Sequence, residues 1–300
     1  MKKLLLLFVG IALTAFSFTA GAETIKNKTF IDDSYKGVTA ISAAQTVLPV
    51  RIFAGNTSRV TVKCHVEKMT VNKKNFRITA RMNGSTLEIR QEPREGLSFN
   101  NVVGYLEITV PAGVKTVSIA TVSGSVRAEG FSLEKYTVNT VSGSITSQSL
   151  SVPELAMNST SGSIRLSDVS ASAVRLGSTS GSISLDGVKG NKAGISTTSG
   201  SIRLKNAYFA AVNLNSVSGS LTAYVGDRIR QINANTVSGS VNLFFKGGLK
   251  DNRYNLNSTS GSIRIEGVAS ARRHFRMDAG SGRVGVQANT VSGSISVRKF

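Results

Sequence analysis

The stretch Val117-Ser-Ile-Ala-Thr-Val-Ser-Gly-Ser-Val126 recurs down the chain, and its glycine sets the beat. Ser-Gly-Ser is centred on Gly124, Gly143, Gly162, Gly181, Gly200, Gly219, Gly239, Gly261 and Gly293, with the variant Ser281-Gly282-Arg283 before the last copy. The first six glycines stand 19 residues apart, after which the steps are 20, 22 and 32. A fixed period of this length marks one small supersecondary unit stacked on itself.

Counting from each glycine exposes a template. Seven residues before it lie Val117, Tyr136, Leu155, Val174, Ala193, Val212, Ile232 and Tyr254, and five before it lie Ile119, Val138, Met157, Leu176, Ile195, Leu214, Ala234 and Leu256. Three before it the residue is Ser or Thr in all nine copies, from Thr121 to Thr290. Two after it the residue is always aliphatic, as at Val126, Ile145, Ile164 and Ile295. Apolar residues therefore alternate on both sides of the motif, but odd offsets point inward before the glycine and even offsets after it. A strand changes face only through a bend or bulge, which glycine permits. Each unit reads as strand, corner, strand and variable return. Stacked in register, such units predict an all-β chain, a parallel β-helix or β-solenoid with rungs of about 19 residues. A flexible Gly/Ser linker has no reason to hold apolar residues at four fixed offsets. The inward hydroxyls three before each glycine are expected to satisfy one another and the corner's backbone.

Residues 23–115 lack the motif but are β-rich, with strand patterns over 38–41, 47–53, 59–66, 76–82, 86–90 and 102–110. Asn83-Gly84 between two of them is a hairpin signal, and Glu92-Pro-Arg-Glu-Gly96 reads as a loop. Residues 1–22 are set aside: Lys2 and Lys3 precede an apolar run from Leu4 to Phe18, and Ala20-Gly-Ala22 offers a small-residue cleavage pattern. That is an export signal, cleaved after about Ala22, and no second apolar span follows. The expected organisation is thus a signal at 1–22, a β-rich cap or domain at 23–115, and a solenoid of nine to ten repeats at 116–300. Cys64 is the only cysteine, so no disulfide scaffold exists. It sits in an alternating strand pattern, where a half-buried residue is expected and a nucleophile is not.

The chain holds 36 Lys and Arg against 17 Asp and Glu, a formal charge of +19, which favours anionic partners. Three after the glycine, arginine alternates with small polar residues at Arg127, Thr146, Arg165, Ser184, Arg203, Thr222, Asn242 and Arg264. Spacing arginines two strands apart avoids like-charge stacking. The lengthened units add residues that read as returns: Asp227-Arg-Ile-Arg230, Lys246-Gly-Gly-Leu-Lys-Asp-Asn-Arg253 and Ala271-Arg-Arg-His-Phe-Arg276. Insertions at one template position emerge on one edge. Arg228, Arg230, Lys246, Lys250, Arg253, Arg272 and Arg273 are therefore the candidate ligand-binding patch, with Tyr224, Phe245 and Phe275 nearby.

Catalytic signals are weak, and none nominates an enzyme. Ser132-Leu-Glu-Lys135 has Ser-x-x-Lys spacing without the companion motifs that give it meaning. The only histidines, His65 and His274, partner no serine, and the acids of the repeat are scattered singly. No enzyme activity, cofactor or metal is predicted.

The segment Val103-Gly-Tyr-Leu-Glu-Ile-Thr-Val-Pro-Ala-Gly113, followed by Val117 to Val126 and its echoes, resembles the DUF4097 family of bacterial putative adhesins. The resemblance spans nearly the whole mature chain. It implies an exported, all-β, β-helix-like protein associated with the cell envelope, and its adhesin label names a class of role and no ligand. Taken with the charge, the expected function is a non-enzymatic envelope or surface protein that binds a polymeric or protein partner, an anionic glycan or a host or cell-surface protein rather than nucleic acid. The alternatives are a β-helical glycan-active enzyme with its site on the basic edge, and a purely structural envelope scaffold. Oligomeric state is left open. Ser in place of an acid after the glycine speaks against metal at the corners.

Overall fold

The computed structural model describes residues 22–72, 76–92, 96–278 and 283–300. The export-signal reading of 1–22 falls outside them except at Ala22, as do residues 93–95 of the expected loop and Ser281-Gly282 of the variant motif. Among the described residues every regular element is a strand.

Seven strands precede the repeat: β1 (Glu23–Tyr35), β2 (Ala40–Gln45), β3 (Val50–Ala54), β4 (Val60–Val71), β5 (Arg77–Asn83), β6 (Thr86–Glu92) and β7 (Phe99–Val110). Strands before and after each corner then alternate: β8 (Thr116–Thr121), β9 (Val126–Glu129), β10 (Lys135–Thr140), β11 (Ile145–Gln148), β12 (Glu154–Ser159) and β13 (Ile164–Ser167). The pattern continues through β14 (Ser170–Ser178), β15 (Ile183–Asp186), β16 (Lys189–Thr197), β17 (Ile202–Ala207), β18 (Ala211–Ser216) and β19 (Leu221–Val225). It closes with β20 (Gln231–Thr236), β21 (Val241–Phe245), β22 (Arg253–Ile265), β23 (Ala269–Met277), β24 (Gly285–Thr290) and β25 (Ile295–Lys299).

The inward/outward alternation predicted from the template is the one the burial shows. In β12 Leu155, Met157 and Ser159 are buried while Glu154 and Asn158 are exposed, and past the corner Ile164 and Leu166 of β13 are buried while Arg165 is exposed. Strands before the corner stack into one parallel column and strands after it into a second. From β8 to β18 a residue's parallel partner stands 19 positions away, as with Tyr136 between Val117 and Leu155. The returns line a third side with buried Phe131, Leu150, Val152, Val169, Val188 and Phe209, tied by parallel bridges such as Ser132 to Ser151 to Ser170. The result is a solenoid-like, nearly closed sheet around one core.

The columns do not follow chain order at their ends. β2 lies between β6 and β8, and β3 between β7 and β9, all parallel. At the other end β24 lies between β20 and β22, and β25 between β21 and β22. The unit of Gly293 therefore sits between those of Gly239 and Gly261, whereas a plain reading of the repeats stacks them in sequence. Antiparallel strands cover the open edges: β5 on β6, β4 and then β1 on β7, and β23 on β22. Among the described residues the edge strands are therefore the antiparallel β1, β5 and β23, and the parallel columns are paired inside them. Residues 271–276, expected as part of a return, are thus strand β23.

The corner has a tighter cause than a bend. None of the nine motif glycines is among the residues with positive φ. A Cβ on Gly162 would instead fall well inside contact distance of the Gly143 carbonyl oxygen, and the same holds from Gly143 on Gly124 to Gly261 on Gly293. The corners stack backbone on backbone. The hydroxyl three before each glycine accepts that glycine's N–H at 2.8–3.2 Å in all nine units. Several donate in turn to the neighbouring rung's corner carbonyl, such as Ser258 Oγ to Gly293 O at 2.8 Å and Thr290 Oγ1 to Gly239 O at 3.0 Å. The expected satisfaction by the corner's backbone is what these bonds show; the expected hydroxyl-to-hydroxyl bonding is replaced by hydroxyl-to-carbonyl bonding.

Among the described residues one buried pair is left unsatisfied: Tyr136 Oη and Ser147 Oγ complete no hydrogen bond, although Ser147 lies near enough to oppose the burial that pushes the Tyr136 pKa up. An unsatisfied buried polar group costs about 1–3 kcal/mol, while removing both partners is close to neutral or stabilising. The double variant Tyr136→Phe/Ser147→Ala is expected to unfold at equal or higher denaturant concentration than the native chain; a clear loss would show that the hydroxyls are satisfied after all.

Gly162→Ala is expected to destabilise by about 3 kcal/mol through overpacking against Gly143. Gly194→Ala, where a Cβ meets nothing within 4 Å, should be neutral or stabilising by about 0.5 kcal/mol. Equal melting behaviour of the two variants would refute the backbone-stacking explanation.

Candidate binding face and C-terminal cleft

Outward positions of the first column carry a pattern not singled out in the sequence. Four before the glycine, asparagines bond side chain to side chain across rungs: Asn158 Nδ2 to Asn139 Oδ1 at 3.0 Å, Asn235 to Asn215 at 3.1 Å, Asn289 to Asn235 at 2.7 Å and Asn257 to Asn289 at 2.8 Å. His274 Nδ1 meets Asn257 Oδ1 at 2.5 Å at the end of the row. Two residues earlier, Asn233 donates to Asn213 at 2.7 Å. A carboxamide both donates and accepts, so identical amides stack without a mismatch. The signal was legible, since Asn-x-Asn recurs at 213–215, 233–235 and 255–257.

Where small residues interrupt the amide rows the face is indented. One depression surrounds Gly177 and Gly194, with Arg175 and Lys192 beside it. A second, about 450 Å³, lies at the C-terminal end. Its floor is set by register: Gly285 stands between Gln231 and Arg253, and Gln287 between Asn233 and Asn255. Arg276, opposite Asn255 on β23, and Arg230 complete the walls, with Asp278 also lining it.

The predicted patch divides. Arg230 and Arg253 line this cleft, joined by Arg276, which the patch omitted. Arg228 and Lys250 are exposed on neighbouring returns, and Lys246 Nζ lies 3.6 Å from Asp227. Arg272 pairs opposite Ser262, beyond the corner, and Arg273 beside it has φ 73°, so both stand apart from the cleft. They separate because residues 271–276 form a strand. Among the flanking aromatics, Phe245 is core and Phe275 packs on Tyr254 with ring centres 6.4 Å apart. Tyr224 faces outward, stacked on Phe244 at 4.8 Å with Phe300 edge-on at 5.4 Å.

The arginine row of the second column keeps its predicted register, Arg127 beside Thr146 beside Arg165 and Ser184 beside Arg203. It extends beyond the repeat, because Arg51 stacks directly on Arg127 and Glu107 on Arg51. Arg127 Nη2 also meets Glu129 Oε2 at 3.4 Å. Among the described residues no group of three or more His, Cys, Asp or Glu is placed to hold a metal.

A family model described as Toastrack DUF4097 matches residues 38–298. The chain belongs to the DUF4097 family. Its fold recurs in solved bacterial proteins of low identity. A putative adhesin from Parabacteroides merdae aligns with a TM-score of 0.51 and 14% identity, over 93% of this chain and 96% of that one. A putative lipid binding protein from Parabacteroides distasonis aligns at 0.50 and 16%, over 94% and 97%. A putative adhesin from the same organism aligns at 0.50 and 12%, over 94% and 98%. No curated protein matches the chain. No helix among the described residues of this DUF4097 protein is long and apolar enough to cross a membrane.

Cys64 is fully buried on β4, and burial pushes its thiol from 9.0 up to about 12. Between these values the unfolded chain loses a proton that the folded chain keeps, so stability falls as pH rises through that window. The native protein is expected to resist thiol-specific reagents at pH 8 and to react once unfolded. Its denaturation midpoint should drop between pH 8 and 10.5 by more than that of Cys64→Val; equal drops would remove the thiol as a cause.

Proposed function

We propose that this protein is exported to the cell envelope and acts there as a non-enzymatic binding protein for an extended partner, an anionic glycan or a host or cell-surface protein. In this reading each unit of about 19 residues is one solenoid rung, residues 23–115 cap the stack, and the N-terminal segment is the export signal. The observation that carries it is the outer face of the first column. It carries two runs of stacked amides, Asn139 to Asn158 and a longer one from Asn215 to Asn257, separated by a depression beside Arg175 and Lys192, with strands about 4.8 Å apart. Such a run repeats one contact along its length, which suits a polymer better than a single small molecule. The net charge of +19 supports an anionic partner. The adhesin names of two structural relatives agree with this role.

The glycan-active enzyme is the weaker reading. Glycoside hydrolysis ordinarily needs two carboxyl groups flanking the scissile bond, and Asp278 is the only acid among the residues lining the cleft.

Probing the mature chain against an array of acidic and neutral glycans and matrix proteins should give retention on at least one acidic polymer class, weakened by salt. Protease applied to intact cells of the source bacterium should degrade it if it is surface-exposed. Retention on nothing, in a folded sample, would overturn the binding role.

A further inference from the structure

The C-terminal cleft gathers three guanidiniums around one space, against the two cations, Arg175 and Lys192, of the depression at Gly177 and Gly194. Arg230, Arg253 and Arg276 all border it, and among the described residues none of the three takes part in an ion pair or a side-chain hydrogen bond. Some exposed cations elsewhere meet acids, as Lys115 meets Glu134 and Lys135 meets Glu154. One carboxylate, Asp278, faces three guanidiniums.

The floor of the cleft is open at position 285, which has no side chain. Glycine is not demanded there by the backbone. Gly285 begins β24 in an extended run, its φ is not in the left-handed region, and a Cβ would meet only Arg230 O at 3.7 Å and Arg253 Nη2 at 3.9 Å. This sets it apart from the corner glycines, each packed on a carbonyl. A glycine inside a strand costs stability relative to a residue with a side chain. Here it borders a space of about 450 Å³, within the ordinary range of ligand sites.

We propose that this cleft binds an acidic saccharide, its carboxylate or sulfate held by Arg253 and Arg276 and its hydroxyls by the amides around them. Guanidinium groups form paired, charge-assisted hydrogen bonds to planar oxyanions. The in-register amides Gln231, Asn233, Gln287 and Asn255 both donate and accept, as sugar hydroxyls do, whereas a bare sulfate ion offers acceptors alone. The cleft opens onto the amide runs, so a longer chain continues from it across the strands. The ligand class deepens the binding role proposed above and rests on it, while the cleft's own occupancy is measured separately.

The test is calorimetric titration of the mature chain with size-defined oligogalacturonate, hyaluronate and heparin fragments, with maltotriose, inorganic phosphate, inorganic sulfate and a single-stranded oligonucleotide as the other arms. Saturable binding of at least one acidic oligosaccharide is expected, with none for maltotriose. Arg253→Gln and Arg276→Gln should each weaken it about tenfold, as expected for loss of a charge-assisted bond of about 1.5 kcal/mol. Gly285→Leu places a side chain on the floor of the cleft beside Arg253 while keeping every charge and should weaken binding at least tenfold, with an unchanged circular dichroism spectrum. The proposal fails if no acidic oligosaccharide binds, or if folded Gly285→Leu binds as the native chain does. It also fails if phosphate, sulfate or the oligonucleotide binds at the cleft as tightly as the saccharides. Cleft binding without retention on any array polymer would sink the broader role and leave the site. Array retention unchanged in Gly285→Leu, with no cleft binding, would do the reverse.

Discussion

The hydrogen bond from each corner glycine's N–H to the hydroxyl three residues earlier, made over a backbone-on-backbone stack, is the constraint on which the rest depends. Stacking glycine on glycine brings successive corners closer than any side chain permits, and that closeness lets one hydroxyl serve two rungs. The bond fixes the place where inward parity shifts, so it also decides which residues of each strand face out. Asn158 and Arg165 lie on opposite sides of the same corner, and both are outward because Ser159 and Gly162 are inward. The amide runs and the arginine row are consequences of that phase.

Repetition made most of this readable. Apolar spacing alone locates the corner, the parity shift and the buried hydroxyl, because those positions are the same in nine copies. The reason for the glycine was not readable, since a conformational need and a close approach select the same residue. The rungs before the repeat were hidden for the opposite reason. Ile41, Ala43, Gln45, Leu48 and Val50 occupy the template, and Gln45 pairs with Thr121 and Val50 with Val126. There Gln45 does the hydroxyl's work, bonding the Leu48 backbone through both ends of its amide, so neither Ser-Gly-Ser nor a hydroxyl announces the corner.

The candidate site was half legible for a related reason. Arg230 and Arg253 are conspicuous where the period lengthens, but an opening at Gly285 has no chemical signature of its own. The run of basic residues around Arg276 breaks the template and so reads as a return, yet pairing with β22 makes Arg276 a wall of the cleft. A list of charged residues cannot separate Arg272 from Arg276. Antiparallel pairing does, by sending one past the corner and the other to the amide face.

Rung order is the deepest of these hidden features. Each rung offers its neighbours the same apolar positions, hydroxyl and glycine, so the unit of Gly293 fits beside that of Gly239 as well as that of Gly261 does. What distinguishes the two arrangements is the chain end. In simple succession the last rung would expose a parallel edge, and such an edge invites further stacking. By running out to β22, covering it with β23 and returning to fill the gap, the chain places β24 and β25 between partners on both sides. The N-terminal end does the same with β2 and β3. The cleft is a product of that return. Arg253 on the outermost rung, Gly285 on the inserted one and Arg276 on the covering strand come together only because the stack is closed out of order.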